Sequence, residues 1–224
     1  MDTTTQSLAF QQLSNYAKQQ AISKYGDPPD DWYEEIIALA KEQAPARGFS
    51  INEVQFGGFH SQGDGASWTG HVDLADFIEY HNKPEATDFA QYVVLRELIK
   101  DGWCEEKVNI NRHAFIYSHS GGMVTEGIDD SISYADDDSV MDRGILEGAN
   151  VKELANSIHT DELFNDLDGW VLSKARAYAN EIYAQLEEEY DAYTSEERFI
   201  DVCDINGWRF DNNGNLIEGD HHGI

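Results

Sequence analysis

The stretch Phe49-Ser50-Ile51-Asn52-Glu53-Val54-Gln55-Phe56-Gly57-Gly58-Phe59-His60-Ser61-Gln62-Gly63-Asp64-Gly65-Ala66-Ser67-Trp68-Thr69-Gly70-His71-Val72-Asp73 decides the fold. Phe49, Ile51, Val54, Phe56 and Phe59 run like a strand that slips phase once, so an irregularity is expected within it. Trp68, Gly70 and Val72 return with period two. Between them lies a glycine-rich turn, His60 to Ala66. This is the pattern of a β-hairpin with a long, structured tip. Ser61, Gln62, Gly63, Asp64 and Gly65 are expected to be a structural loop, with glycines at positive φ and Asp64 bonded to its own backbone.

On the N-terminal side, Leu8, Leu13, Ala17, Ala21 and Ile22 recur at helical spacing, with Thr4 or Thr5 placed to cap the start. Gly26, Pro28 and Pro29 break the chain. A second helix is expected from Asp30 or Asp31, with Trp32, Ile36, Leu39 and Ala40 on one face, ending at Pro45 and Gly48. On the other side, residues 75–80 and 85–100 read as helical, the latter with a stripe of Phe89, Val93, Leu95, Leu98 and Ile99. A second hairpin follows: Val108, Ile110, Ala114, Ile116 and Ser118, then a Ser120-Gly121-Gly122 turn, then Met123-Val124-Thr125. One long helix, or two in series, is expected over about 160–193, burying Leu163, Leu167, Trp170, Val171, Tyr178, Ile182 and Leu186. Trp208-Arg209-Phe210, Asp211-Asn212-Asn213-Gly214 and Asn215-Leu216-Ile217 read as a closing hairpin. The expected class is α+β: antiparallel hairpins packed with helices, in a single domain over 1–224 with an acidic helical sub-region at about 126–200.

The segment from Phe56 to Gly70 resembles a family of bacteriophage and prophage proteins, some labelled antitoxin-like, whose pattern is roughly F-S-G-F-W-S-Q-G-D-G-A-x-F-x-G. The likeness extends to Trp32-Tyr33, to Tyr117-Ser118-His119-Ser120 and to the C-terminal aromatic hairpin. The chain departs from it at Gly57, where Ser stands in the family, and at His60, where Trp does. The resemblance implies a phage or mobile-element setting and no assigned reaction.

Charge is the other strong signal. Asp and Glu number 43 against 15 Lys and Arg, a net charge of -28 over 224 residues. Small domains ordinarily stay within roughly 2–8 charges of neutrality, because self-repulsion opposes compaction. Aromatic residues make up 12%, so the acidity is not that of a disordered acidic chain. A surface of this sign is expected to avoid naked nucleic acid and anionic lipid. No apolar run reaches membrane-spanning length and no leader pattern opens the chain, so a soluble, cytoplasmic protein is expected. Cys104 and Cys203 stand apart in no metal spacing and read as free thiols.

Two acid-rich runs are candidate partner-binding residues. Asp129, Asp130, Asp136, Asp137, Asp138 and Asp142 form the first. Glu187, Glu188, Glu189 and Asp191, interleaved with Tyr190 and Tyr193 as aromatic anchors, form the second. Carboxylates at helical spacing approximate the field of a phosphate backbone. The leading expectation is therefore a non-enzymatic protein that inhibits a basic, nucleic-acid-handling host defence factor, as a mimic of DNA. Adaptation to high salt would produce a similar surface. An antitoxin or immunity partner of one toxin is an alternative. So is a metal-dependent hydrolase or nuclease, built on His60, His71, His113, His119, Asp64 and Asp73, or on Glu105-Glu106-Lys107 with Asp101 or Asp64. No H-E-x-x-H, Walker A, G-x-S-x-G or calcium-loop pattern supports the last, so no metal, cofactor or catalytic residue is expected.

Overall fold

The quoted stretch forms β1 (Phe49–Gly57) and β2 (Gly65–Asp73), paired antiparallel with Val54 opposite Trp68, Phe56 opposite Ala66 and Gly57 opposite Gly65. The register slips between Ile51 and Glu53, where the apolar phase slips in the sequence. The computed structural model describes residues 7–81, 92, 95–96, 99–100, 107–113, 119–126 and 161–218. Strands β3 (Lys107–Arg112) and β4 (Met123–Glu126) complete a four-stranded antiparallel sheet in the order β1-β2-β3-β4. The two hairpins of the sequence thus share one sheet through β2 and β3, with Val72 opposite Val108 and Gly70 opposite Ile110. The class is mixed α+β.

The described residues fall into two compact units, one spanning 37–183 and the other built from the chain's two ends, up to 36 and from 184. In the first, α3 (Leu74–His81) follows β2 directly. Leu74, Phe77 and Ile78 of α3 are fully buried, as are Trp68, Val72, Val108, Ile110 and Met123 of the sheet. Each such side chain contributes about 1.5–3 kcal/mol by leaving water. The long helix α4 (Asp161–Tyr193) supplies residues to both units. Its Leu167, Val171, Ala175, Tyr178, Ala179 and Ile182 recur at intervals of three and four and are buried in this unit. The Trp68 indole donates to the Ala175 carbonyl at 3.1 Å, so this buried ring leaves no unpaired donor. Phe49 lies between Trp68 and Tyr178, with ring centroids 5.2 and 5.7 Å away.

Helix α2 (Glu34–Gln43) runs into a 3-10 turn, Ala44–Arg47, which Gly48 ends at φ 77. A Cβ at Gly48 would overlap the backbone of Phe77, so both the left-handed backbone and the close approach of α3 require glycine there. The helix starts at Glu34 rather than Asp30 or Asp31, because Trp32 and Glu34 donate back to Pro29 and Asp31 in turns. Of its expected apolar face, Ala40 is buried while Leu39 is 46% exposed.

In the second unit, α1 (Asn15–Tyr25) begins at a Ser14 cap whose Oγ accepts from Ala17 N at 3.2 Å. The expected helix therefore starts late. Leu8 is not helical: it exchanges two 2.9 Å backbone hydrogen bonds with Phe210, and Phe10–Gln12 form a 3-10 turn. Helix α5 (Glu196–Ile205) and the hairpin β5 (Arg209–Phe210) and β6 (Leu216–Glu218) close this unit. Its core joins Phe10, Leu13, Ala17 and Ala21 to Phe199, Val202, Cys203, Trp208 and Phe210. Asp211 Oδ1 accepts from Asn213 N and Asn215 N, at 2.8 and 2.9 Å, which fixes the hairpin turn. Asn215, through side chain and backbone, holds the Asp211 carboxyl below its ordinary value. The acid-rich run Asp129–Asp142, Cys104 and most of 85–100 lie outside the described residues; Leu95 and Ile99 are helical and buried.

Candidate functional site

One face of the sheet packs Trp68 on α4; the other carries a polar cluster. Side chains alternate along a strand, so Gly65 and Ser67 share the face opposite Trp68. Their cross-strand partners on β1, Gly57 and Gln55, share it with them. The imidazole of His119, from the turn before β4, lies across the Gly57–Gly65 pair. A Cβ at 57 would stand 3.2 Å from His119 Nε2, and one at 65 would stand 3.5 Å from His119 Cβ. The two glycines thus provide a flat floor for the ring. Arg112, the last residue of β3, reaches across β2 to donate to the Gln55 side-chain oxygen on β1.

Two polar atoms in this cluster are buried without a hydrogen-bond partner among the described residues: Ser67 Oγ and His119 Nδ1. Ser67 is only 1% exposed. An unmet buried hydroxyl or ring nitrogen costs about 1–3 kcal/mol. The His119 imidazole is held below its ordinary proton affinity, first by burial, then by the Arg112 charge, against an opposing pull from Asp64. Asp64 also organises the tip, where its Oδ2 accepts from Ser61 N at 2.5 Å. Tyr183 Oη donates to the Gly58 carbonyl at 3.0 Å, and Phe59 stacks on the Tyr183 ring at 5.4 Å.

The histidines weighed for a metal do not converge. His60 is exposed at φ 86, His71 lies on β2 opposite Asn109 and Ser50, and His113 is exposed with its backbone N–H on the Gly122 carbonyl. Among the described residues no three His, Cys, Asp or Glu side chains form a group able to hold a metal ion. Cys203 is buried, and its thiol is pushed up to about 12 by that burial and by Asp204, so it stays protonated and unreactive.

The second acidic run occupies the end of α4 and continues into α5. Glu188, Glu189, Asp191, Glu196, Glu197, Asp201 and Asp204 are exposed. Glu197, Asp201 and Asp204 follow at intervals of four and three, which places them on one face of α5. The two aromatic candidates are engaged within the unit: Tyr190 packs on Trp32 at 5.6 Å, and Arg198 stacks on Tyr193 at 5.9 Å. Glu196 pairs with Lys18 at 3.1 Å. Asp201 and Asp204 extend the row beyond the residues singled out from sequence, and their helical spacing after Glu197 is the signal that identifies them. No local signal marked Ser67, Gln55 and Arg112; they meet only once the strands pair.

Among the described residues no helix is long and apolar enough to cross a membrane. A family model described as Domain of unknown function (DUF8835) matches residues 32–196. That span includes the four strands and the polar face, whereas Phe10, Phe199, Trp208 and Phe210 of the aromatic core lie outside it. Comparison with curated proteins gives no match, and comparison with solved structures gives none either.

Proposed function

The chain belongs to the family described as Domain of unknown function (DUF8835), whose description carries no activity, and we propose from its own surface that it is a binding protein for a cationic partner. The partner is a basic, nucleic-acid-handling factor, and the acidic row takes the place of the phosphate backbone in its groove. The observation that carries this reading is the exposed stripe Glu197, Asp201 and Asp204 following Glu188, Glu189 and Asp191, in a chain of net charge -28. Like charges three and four residues apart on a helix destabilise it by a few tenths of a kcal/mol per pair. Docked cations relieve that repulsion, and steering by such a field speeds encounter. The phage setting, and with it a host defence complex as the target, rests on the resemblance of the Ser61–Ala66 motif.

The test is capture from a host lysate by the immobilised protein. Nucleic-acid-binding proteins are expected in the eluate, displaced by duplex DNA and by raising salt to about 0.5 M, where the screening length falls to a few ångströms. A Glu188→Gln, Glu197→Gln, Asp201→Asn, Asp204→Asn variant is expected to lose most of the capture. Capture indifferent to salt and to these substitutions would remove the reading.

A further inference from the structure

The polar face of the sheet holds a guanidinium bonded to a neutral acceptor and two buried polar atoms without a partner among the described residues. Arg112 is one of 15 Lys and Arg residues facing 43 acids, yet its hydrogen-bond partner among the described residues is the neutral amide of Gln55. Ser67 Oγ, two residues along from Gly65, is buried beside this bridge and unpaired, and His119 Nδ1 is buried and unpaired over the glycine floor. A guanidinium, a hydroxyl and an imidazole together match an anion with several oxygens. A carboxylate is satisfied by a bidentate arginine alone, whereas the oxygens of a phosphate reach three donors at once. We infer that this face, formed by Ser67, Arg112, His119 and Gln55 over the Gly57–Gly65 pair, binds a single phosphate group, free or as a small ester.

Binding exchanges the Arg112–Gln55 bond for an Arg112–phosphate bond, and a charged acceptor is the stronger partner for a guanidinium. Gln55 is exposed and its Nε2 donates to the Glu53 carboxylate at 2.8 Å, so on release its oxygen returns to water. With no side chains at Gly57 and Gly65, the His119 ring lies directly against the two strands. The net charge of -28 repels a long polyanion, but repulsion from charges farther than about 8–10 Å is screened at physiological salt; close by, the Arg112 guanidinium stands against the Glu53 and Asp64 carboxylates. Asp64 is the acid that faces His119; its carboxylate is turned to the Ser61 N–H. The site lies wholly in the unit spanning 37–183 and does not depend on the acidic row, so the two readings stand or fall separately.

The experiment is NMR of the full chain with labelled histidine, titrated with inorganic phosphate, with adenosine monophosphate and with acetate. Inorganic phosphate is expected to shift the His119 imidazole resonances saturably and to raise the pH at which they titrate, because a bound anion favours the imidazolium. Acetate is expected to leave them in place. Tighter binding of the nucleotide than of phosphate assigns an ester as the ligand; equal binding assigns the free anion. Arg112→Gln is expected to weaken binding about tenfold, and His113→Gln, an exposed neighbour, to leave it unchanged. Should Arg112→Gln fail to fold by circular dichroism, Ser67→Ala supplies the same test. A wild-type His119 that phosphate does not move, or moves equally in the folded Arg112→Gln protein, would overturn the assignment.

Discussion

His81 illustrates how one residue couples the core to pH. Its ring lies 4.5 Å from Phe77, 4.8 Å from Tyr80 and 5.7 Å from Phe49. Burial first, then the charges of Lys174 and Arg47, lowers its pKa from 6.5 to about 4. The unfolded chain takes up this proton near 6.5 while the folded chain resists it until about 4, so the unfolded state binds more protons across that window. Stability is therefore expected to be full above pH 6.5 and to fall as pH drops toward 4. Urea midpoints of His81→Phe and wild type, compared at about pH 7 and about pH 5, check this: the variant is expected to lose less on acidification. Gly48 sets a different single-residue limit. Gly48→Ala would place a methyl on the Phe77 backbone at a left-handed φ, and a loss of about 2–3 kcal/mol is expected by chemical denaturation.

At the scale of elements, the caps carry predictable weight. Ser195 Oγ accepts from Arg198 N at 3.2 Å at the start of α5, and Glu196 and Glu197 sit in its first turn. Ser195→Ala is expected to cost about 1 kcal/mol, read as a shift in thermal midpoint. Ser14→Ala, which removes the bond to Ala17 N, is expected to cost a similar amount. Acids favour the N-terminal turn of α5 and oppose the C-terminal turns of α4. The same residue type thus stabilises one helix and strains the helix before it, which fits a charge row kept for its surface rather than for helix stability. The elements themselves were largely legible. Hairpin β1–β2, its phase slip, the long helix and the Asp211–Gly214 turn all follow from spacing and turn chemistry. The start of α1 was not legible, because Leu8 and Leu13 keep helical spacing while Leu8 directs its backbone bonds to Phe210, a partner about two hundred residues away in the chain.

For the whole molecule, a net charge of -28 makes self-repulsion a standing cost. The thermal midpoint is expected to rise as sodium chloride increases from about 10 mM to 150 mM, as the Debye length contracts from about 30 Å to 8 Å. A midpoint that stays flat would mean that the carboxylates are locally compensated.

Composition, periodicity and turn residues by themselves determined an acidic α+β chain with two central hairpins, a long helix and a closing hairpin, because these features depend on neighbours a few residues apart. Only the tertiary structure decided that β2 pairs with β3, that the chain's two ends share one aromatic core, and that His119 rests on Gly57 and Gly65 beside Ser67 and Arg112. Those meetings join segments tens to hundreds of residues apart, and no local periodicity records which distant strand or ring closes against which.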